Sequence, residues 1–213
     1  MCMKSKNYME GSLMEAEIIK YWDGQWEKRS VHPGVFMCNV EKANRLLHEL
    51  WWRPQYVSMR KLDVGCGTTF HAARLSQLCP EWGRTYYGID ISSKAVEIAK
   101  TLLLNVEQQD FYTWKTSKRF ELFMFMDTLE HLEDHGLVAR KILELATPSF
   151  NVFGNIPLYQ SAHGVEGGFE RPMDINALIS FLGKLGVKPD DFQREIYGCF
   201  DYPYMWFAAK GAL

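Results

Sequence analysis

No two of the five cysteines, at positions 2, 38, 66, 79 and 199, form a CxxC pair or a Cys/His cluster, and their number is odd. That scatter argues against a disulfide framework or a zinc site, and it fits a reducing, cytoplasmic setting. The chain also lacks an excess of either charge: 24 Lys and Arg against 26 Asp and Glu leave a formal net charge of -2. Nothing in that balance indicates a nucleic-acid partner. Long hydrophobic runs are missing too. Stretches such as Leu122 to Met126 fall far short of a bilayer span, and no long apolar segment follows Met1-Cys2-Met3-Lys4, so no membrane insertion is expected. Internal repeats and low-complexity linkers are likewise absent.

What remains is 47% hydrophobic and 14% aromatic over 213 residues, enough to bury a sizeable core in one compact domain with appendages. Two helices are expected before residue 60. Ala16 to Trp26 carries Ile18, Ile19, Trp22 and Trp26 near helical spacing, and Val40 to Leu50 repeats Val40, Ala43, Leu46, Leu47 and Leu50, with a break at Val31-His-Pro-Gly34. From residue 60 the pattern alternates: strand 60–65, helix 70–79, strand 85–90, helix 93–103, and a short strand ending near Gln109. Strand 120–126, helix 134–146, strand 149–155, helix 174–185 and strands near 192–198 and 204–210 follow. Short apolar strands separated by helices predict an α/β fold with a mainly parallel sheet covered on both faces. The expected division is 1–59 as a helical cap or lid and 60–213 as the main domain.

The stretch KLDVGCGTTF, residues 61–70, sets Gly65 and Gly67 directly after a strand and before a helix. Glycines there let a ligand approach the backbone, and the helix start offers free N–H groups. An ordinary turn is the alternative for a GxG pair by itself. A second landmark, Tyr87-Gly-Ile-Asp-Ile91, puts Asp90 at the end of the next strand, where a carboxylate can accept hydrogen bonds from both hydroxyls of a ribose. Capping the following helix is its other reading. A dinucleotide fingerprint needs a third glycine where this chain has Phe70, which disfavours pyrophosphate binding and a nicotinamide-dependent oxidoreductase.

Over residues 60–157 these motifs resemble the class I S-adenosylmethionine-dependent methyltransferases of the small-molecule type. LDVGCGTT is similar to their first motif, YGIDIS to their second, and Gln109-Asp110-Phe111 to the pair that holds the adenine. Phe120 to Leu132, with Leu129-Glu130-His131, resembles their fourth-strand segment. The resemblance implies a Rossmann-like, doubly wound, seven-stranded sheet with an N-terminal helical cap, and S-adenosyl-L-methionine as cofactor. It would place Asp63, Gly65 and Gly67 around the methionine portion, Asp90 at the ribose, and Asp110 and Phe111 at the adenine. Cys66, Ile91, Met126 and Asp127 complete the cofactor set, and no metal is implied. Asp63 would face the ammonium, or brace the loop, or both. Many family members carry glycine at the position of Thr69, so a narrower loop is expected here.

Methyl transfer needs an acceptor held in line with the sulfur–carbon bond, and a hydroxyl or protonated amine also needs a base. His131 and His163 are the candidates, each with a structural alternative. Asn155 and Tyr159, after the fifth strand, could line an acceptor pocket, and residues 156–173 suit either a lid or a flexible crossover. The N-terminal aromatics Trp22 and Trp26 could pack onto the sheet or cap the cleft. The expected activity is methylation of an O or N atom of a small-molecule acceptor. A binding subunit that keeps the fold without turnover is the alternative of a different class.

Overall fold

The computed structural model describes residues 6–29, 42–50, 53–102, 104–157, 173–199 and 202–212. Seven strands form one sheet: β1 (Lys61–Val64), β2 (Tyr86–Asp90), β3 (Val106–Gln108), β4 (Phe120–Met126), β5 (Ala146–Pro157), β6 (Phe192–Cys199) and β7 (Tyr202–Ala212). Their order is β3-β2-β1-β4-β5-β7-β6. The first five run parallel to one another, whereas β7 is antiparallel to both β5 and β6. Every residue of β1 and β2 is buried, as strands covered on both faces require, and the charged Lys61 and Asp63 of β1 are buried with their apolar neighbours.

Alternation along β4 divides the core. Phe123 and Phe125 face α6 (His135–Leu145) and α7 (Ile175–Lys184), where Ile142, Leu145, Phe181 and Leu182 pack against them. Leu122, Met124 and Met126 face the other way, against Leu46 of helix α2 (42–50), Leu75 of α3 (Phe70–Leu78) and Trp82 of α4 (Pro80–Arg84). Helix α5 (Ser93–Lys100) adds Val96 and Ala99 beside Tyr86 on that same side. Side chains of Ser92, Asp134 and Asp174 accept the backbone N–H of Ala95, Leu137 and Ala177, which fixes the starts of α5, α6 and α7.

Three features depart from the sequence reading. Helix α4 was not expected. Pro80 opens it at the first helical position, where a missing N–H costs nothing, rather than merely ending α3. Strand β5 is longer than 149–155 because it continues directly from α6 at Ala146, and the register beside it shifts between Phe120 and Leu122. The last two strands form a hairpin whose second member inserts beside β5. Helix α1 (Lys6–Arg29) lies at the N-terminus, and the break expected at residues 31–34 falls outside the described residues. No described helix is long and apolar enough to cross a membrane.

Candidate functional site

Strand order reverses at β1: β2 and β3 lie on one side of it, β4 and β5 on the other. A crevice opens at the carboxyl end of such a strand, and the loop Gly65–Thr69 occupies that edge. Gly65 and Gly67 have φ of 65° and 57°. A Cβ on Gly65 would sit 2.5 Å from the Thr128 side chain, and one on Gly67 would sit 2.7 Å from the Trp26 indole. Both conformation and approach therefore demand glycine.

Thr69 also has a left-handed backbone, with φ of 56°, although it is β-branched and its side chain is buried. Holding an L-residue with a Cβ there costs roughly 1–2 kcal/mol. Thr69→Gly is accordingly expected to raise unfolding stability by about 1 kcal/mol in urea titration, after glycine's own entropic cost is subtracted. The narrowed loop thus carries strain.

Asp90 ties this loop to the β2–α5 corner. Its Oδ2 accepts the N–H of Gly67 at 2.8 Å and its Oδ1 accepts the N–H of Ser92 at 2.8 Å. Each oxygen keeps a further lone pair for a ligand hydroxyl. Burial pushes the Asp90 carboxyl up to about 6, against the two backbone N–H groups that favour its ionised form. Bracing of the loop, through the Gly67 N–H, is thus the work of Asp90. Asp63 is fully buried below it, and its Oδ2 meets the Tyr86 hydroxyl at 2.7 Å and His71 Nε2 at 3.0 Å.

Three buried oxygens around the loop, Asp63 Oδ1, Thr68 Oγ1 and Thr69 Oγ1, have no hydrogen-bond partner among the described residues. Buried polar groups are nearly always partnered, so a cluster of three at the switch point fits a polar ligand with amine, carboxylate or hydroxyl groups. The amino-acid and ribose portions of S-adenosylmethionine carry these groups.

The far side of the crevice is built by the end of β4. Asp127 has φ of 53°, which an aspartate tolerates, and its Oδ2 lies 2.6 Å from Lys42 Nζ of α2. Asn155 of β5 bonds Asp127 twice: its Oδ1 accepts the Asp127 N–H at 3.0 Å and its Nδ2 donates to the Asp127 carboxylate. His131 ends the short 3-10 turn Leu129–His131. Its ring meets the Trp22 indole edge-on, with centroids 4.7 Å apart.

Helix α1 closes over this edge. Asp23 accepts hydrogen bonds from the hydroxyls of Ser92 and Ser93 and from the N–H of Lys94, at 2.6, 3.0 and 3.1 Å. Trp26 covers Gly67 and Trp22 covers His131, so two of the N-terminal aromatics sit at the crevice rather than within the sheet core.

The expected cofactor residues divide by what they expose. Asp63, Gly65, Gly67, Asp90 and Asp127 gather at the sheet's carboxyl edge. Ile91 is half-buried beside them. Cys66 and Met126 bury their side chains in the core. Burial, with Asp90 and Asp63 nearby, holds the Cys66 thiol well above its usual range, so it is no nucleophile. Phe111 packs into the core against Phe125 at 83°. Asp110 accepts from the N–H of Tyr112 and the hydroxyl of Thr113, shaping the turn after β3. His163 and Tyr159 lie outside the described residues.

Sequence reasoning missed Thr128, Lys42 and Asp23, whose partners are distant in the chain, and His71, whose partner Asp63 lies across the glycine loop. For His71 there was a faint signal: a polar residue on the buried face of α3.

Residues 62–149 match a family model described as a methyltransferase domain. The ubiquinone biosynthesis O-methyltransferase of Nitrosospira multiformis is 29% identical over 161 residues, covering 62% of this chain and 64% of that protein. The chain thus spans less than two thirds of that relative's length. Among solved structures, magnesium protoporphyrin IX methyltransferase from Synechocystis PCC 6803 with bound SAH superposes with a TM-score of 0.68 at 16% identity, over 92% of this chain and 98% of that one. N-methyltransferase NodS from Bradyrhizobium japonicum WM9, in complex with S-adenosyl-L-homocysteine, gives 0.64 at 12% identity, over 89% and 97%. At those identities the likeness is one of fold.

Proposed function

We propose that this chain, a class I S-adenosylmethionine-dependent methyltransferase in its fold and in the family match of residues 62–149, transfers a methyl group to an oxygen or nitrogen of a small-molecule acceptor. The observation that carries the reading is the glycine loop braced by Asp90 beside three unpartnered buried oxygens. When bound, S-adenosylmethionine supplies an electrophilic methyl on a sulfonium. Ionised Asp90 would hold the ribose hydroxyls, and Asp63 with the Thr68 and Thr69 hydroxyls would hold the amino-acid end. His131, which follows Asp127 at the end of β4, would take a proton from a hydroxyl or ammonium. Lys42, Asp127 and Asn155 would orient the acceptor's polar groups.

Residues 1–59 serve as the cap in this reading, supported by the contacts of α1 with Ser92, Gly67 and His131. Burial opposes ionisation of Asp23, but hydrogen bonds from Ser92, Lys94 and Ser93 outweigh it and keep its carboxyl below the ordinary 3.8. This latch is therefore intact above that value and lost as pH falls through the lowered one. Asp23→Ala should speed amide hydrogen exchange along α1 while leaving exchange in β1 and β4 unchanged; equal exchange in α1 would refute the latch. A reducing cytoplasm is the location we assign, in keeping with the free thiols of Cys66 and Cys79, and fractionation of the tagged protein tests it.

Calorimetry against S-adenosylmethionine, S-adenosylhomocysteine and NAD tests the cofactor. The first two should bind and NAD should not. Preference for NAD would return the oxidoreductase reading. Tight binding with no transfer to any hydroxyl or amine acceptor would instead leave a binding subunit.

A further inference from the structure

The loop between β1 and α3 is tied at both stems by a buried polar contact, one partner of which, His71, the functional reading does not use. Asp63 is the third residue of β1, and His71 lies in the first turn of α3. His71 is 3% exposed, and its Nε2 lies 3.0 Å from Asp63 Oδ2. An ionised carboxylate only accepts, so Nε2 carries the proton. Tyr86, the first residue of β2 and also buried, donates its hydroxyl to the same oxygen at 2.7 Å. Two donors thus converge on Oδ2 and fix the carboxylate's rotation. Its second oxygen, Oδ1, stays buried and unpartnered beneath the loop. A buried carboxylate with one oxygen doubly donated to and the other vacant is costly unless a donor arrives there.

We propose that His71 is a positioning residue for the amino-acid end of the cofactor. Together with Tyr86 it saturates Oδ2, so that Oδ1 is the oxygen presented to the ligand's ammonium. It also ties the start of α3 to the end of β1, setting the span of the glycine loop. The assignment rests on the cofactor reading above. It adds that selectivity for an amino-acid-bearing nucleoside over the bare thionucleoside depends on an imidazole that does not itself touch the ligand.

Calorimetry with two probes separates the roles. S-adenosylhomocysteine carries the amino-acid portion, and 5′-methylthioadenosine has the same nucleoside without it. His71→Phe, which keeps the ring volume and removes the N–H, should weaken S-adenosylhomocysteine about tenfold, the loss of roughly 1.4 kcal/mol of oriented contact. Its affinity for 5′-methylthioadenosine should stay within about twofold. His71→Gln, which can still donate to Oδ2, should recover most of the loss. Tyr86→Phe, chosen in case the histidine variants fold poorly, should give the same selective pattern. Equal weakening of both probes would make His71 a packing residue, and unchanged S-adenosylhomocysteine affinity in folded His71→Phe would also overturn the proposal. Wild-type protein that binds neither probe would instead remove the cofactor reading itself, and this assignment with it.

Discussion

Gly67→Val is expected to abolish binding of S-adenosylhomocysteine at concentrations that saturate the wild type, while the protein still folds. The new side chain starts 2.7 Å from the Trp26 indole and must adopt a φ of 57°, so it strains the loop and crowds the face that Trp26 covers. Asp90→Ala should act through charge instead. Losing charge-assisted hydrogen bonds worth about 1.5–3 kcal/mol weakens binding roughly ten- to a hundredfold. The pH dependence follows from the raised carboxyl. Ionised Asp90 accepts from the ribose, so wild-type affinity should fall as pH drops through about 6, and Asp90→Asn should flatten that step. The stability sign is opposite: an acid whose folded value lies above its ordinary 3.8 favours folding when protonated. Its burial therefore costs stability above about 6, and the cost is relieved as pH falls toward 3.8. Isothermal calorimetry with a thermal melt on each variant reads both effects. Folded Gly67→Val and Asp90→Ala that bind like wild type would sink the site.

What was legible in the sequence was local. Gly65 and Gly67 encode positive φ by being glycines, and Asp90 stands at a strand end because an apolar run stops there; neither needs a distant partner to be read. Helices α5 and α6 were legible from their apolar periodicity, but the cap of α5 was not: Ser92 accepts the Ala95 N–H, whereas the sequence offered Asp90 for that role. What could not be read depends on contacts between segments far apart in the chain. Lys42 meets Asp127 only because α2 crosses the end of β4, and Asp23 reaches Ser92 only because α1 lies over α5. The place of β7 between β5 and β6 is likewise a matter of pairing, since an apolar strand carries no label for its neighbour. Phe111 belongs to both kinds: the motif names it for the adenine, and the fold packs its ring against Phe125 and the core, a contact that nothing near it in the sequence announces.

His131→Ala is expected to leave S-adenosylhomocysteine affinity nearly intact and to lower the methyl-transfer rate by about a hundredfold or more, with the largest loss for acceptors of high pKa. The placement supports a proton acceptor. His131 follows β4 on the sheet edge where Thr128 touches Gly65, and its ring is half-buried under Trp22 rather than enclosed in the core. Glu130 Oε1 lies 3.9 Å from its Nε2, near enough to stabilise an imidazolium once a proton has arrived. A structural role predicts a different result, because the Trp22 contact would then be the main loss: a lower melting temperature with near-normal turnover in the folded fraction. Trp22→Leu separates the two, since it removes the aromatic contact and keeps the imidazole. It should reduce the rate far less than His131→Ala does. His163→Ala belongs in the same series, because the segment that carries it follows β5 from the same edge. If both histidine variants transfer methyl at the wild-type rate, then the acceptor needs no base, and proximity alone accounts for the reaction.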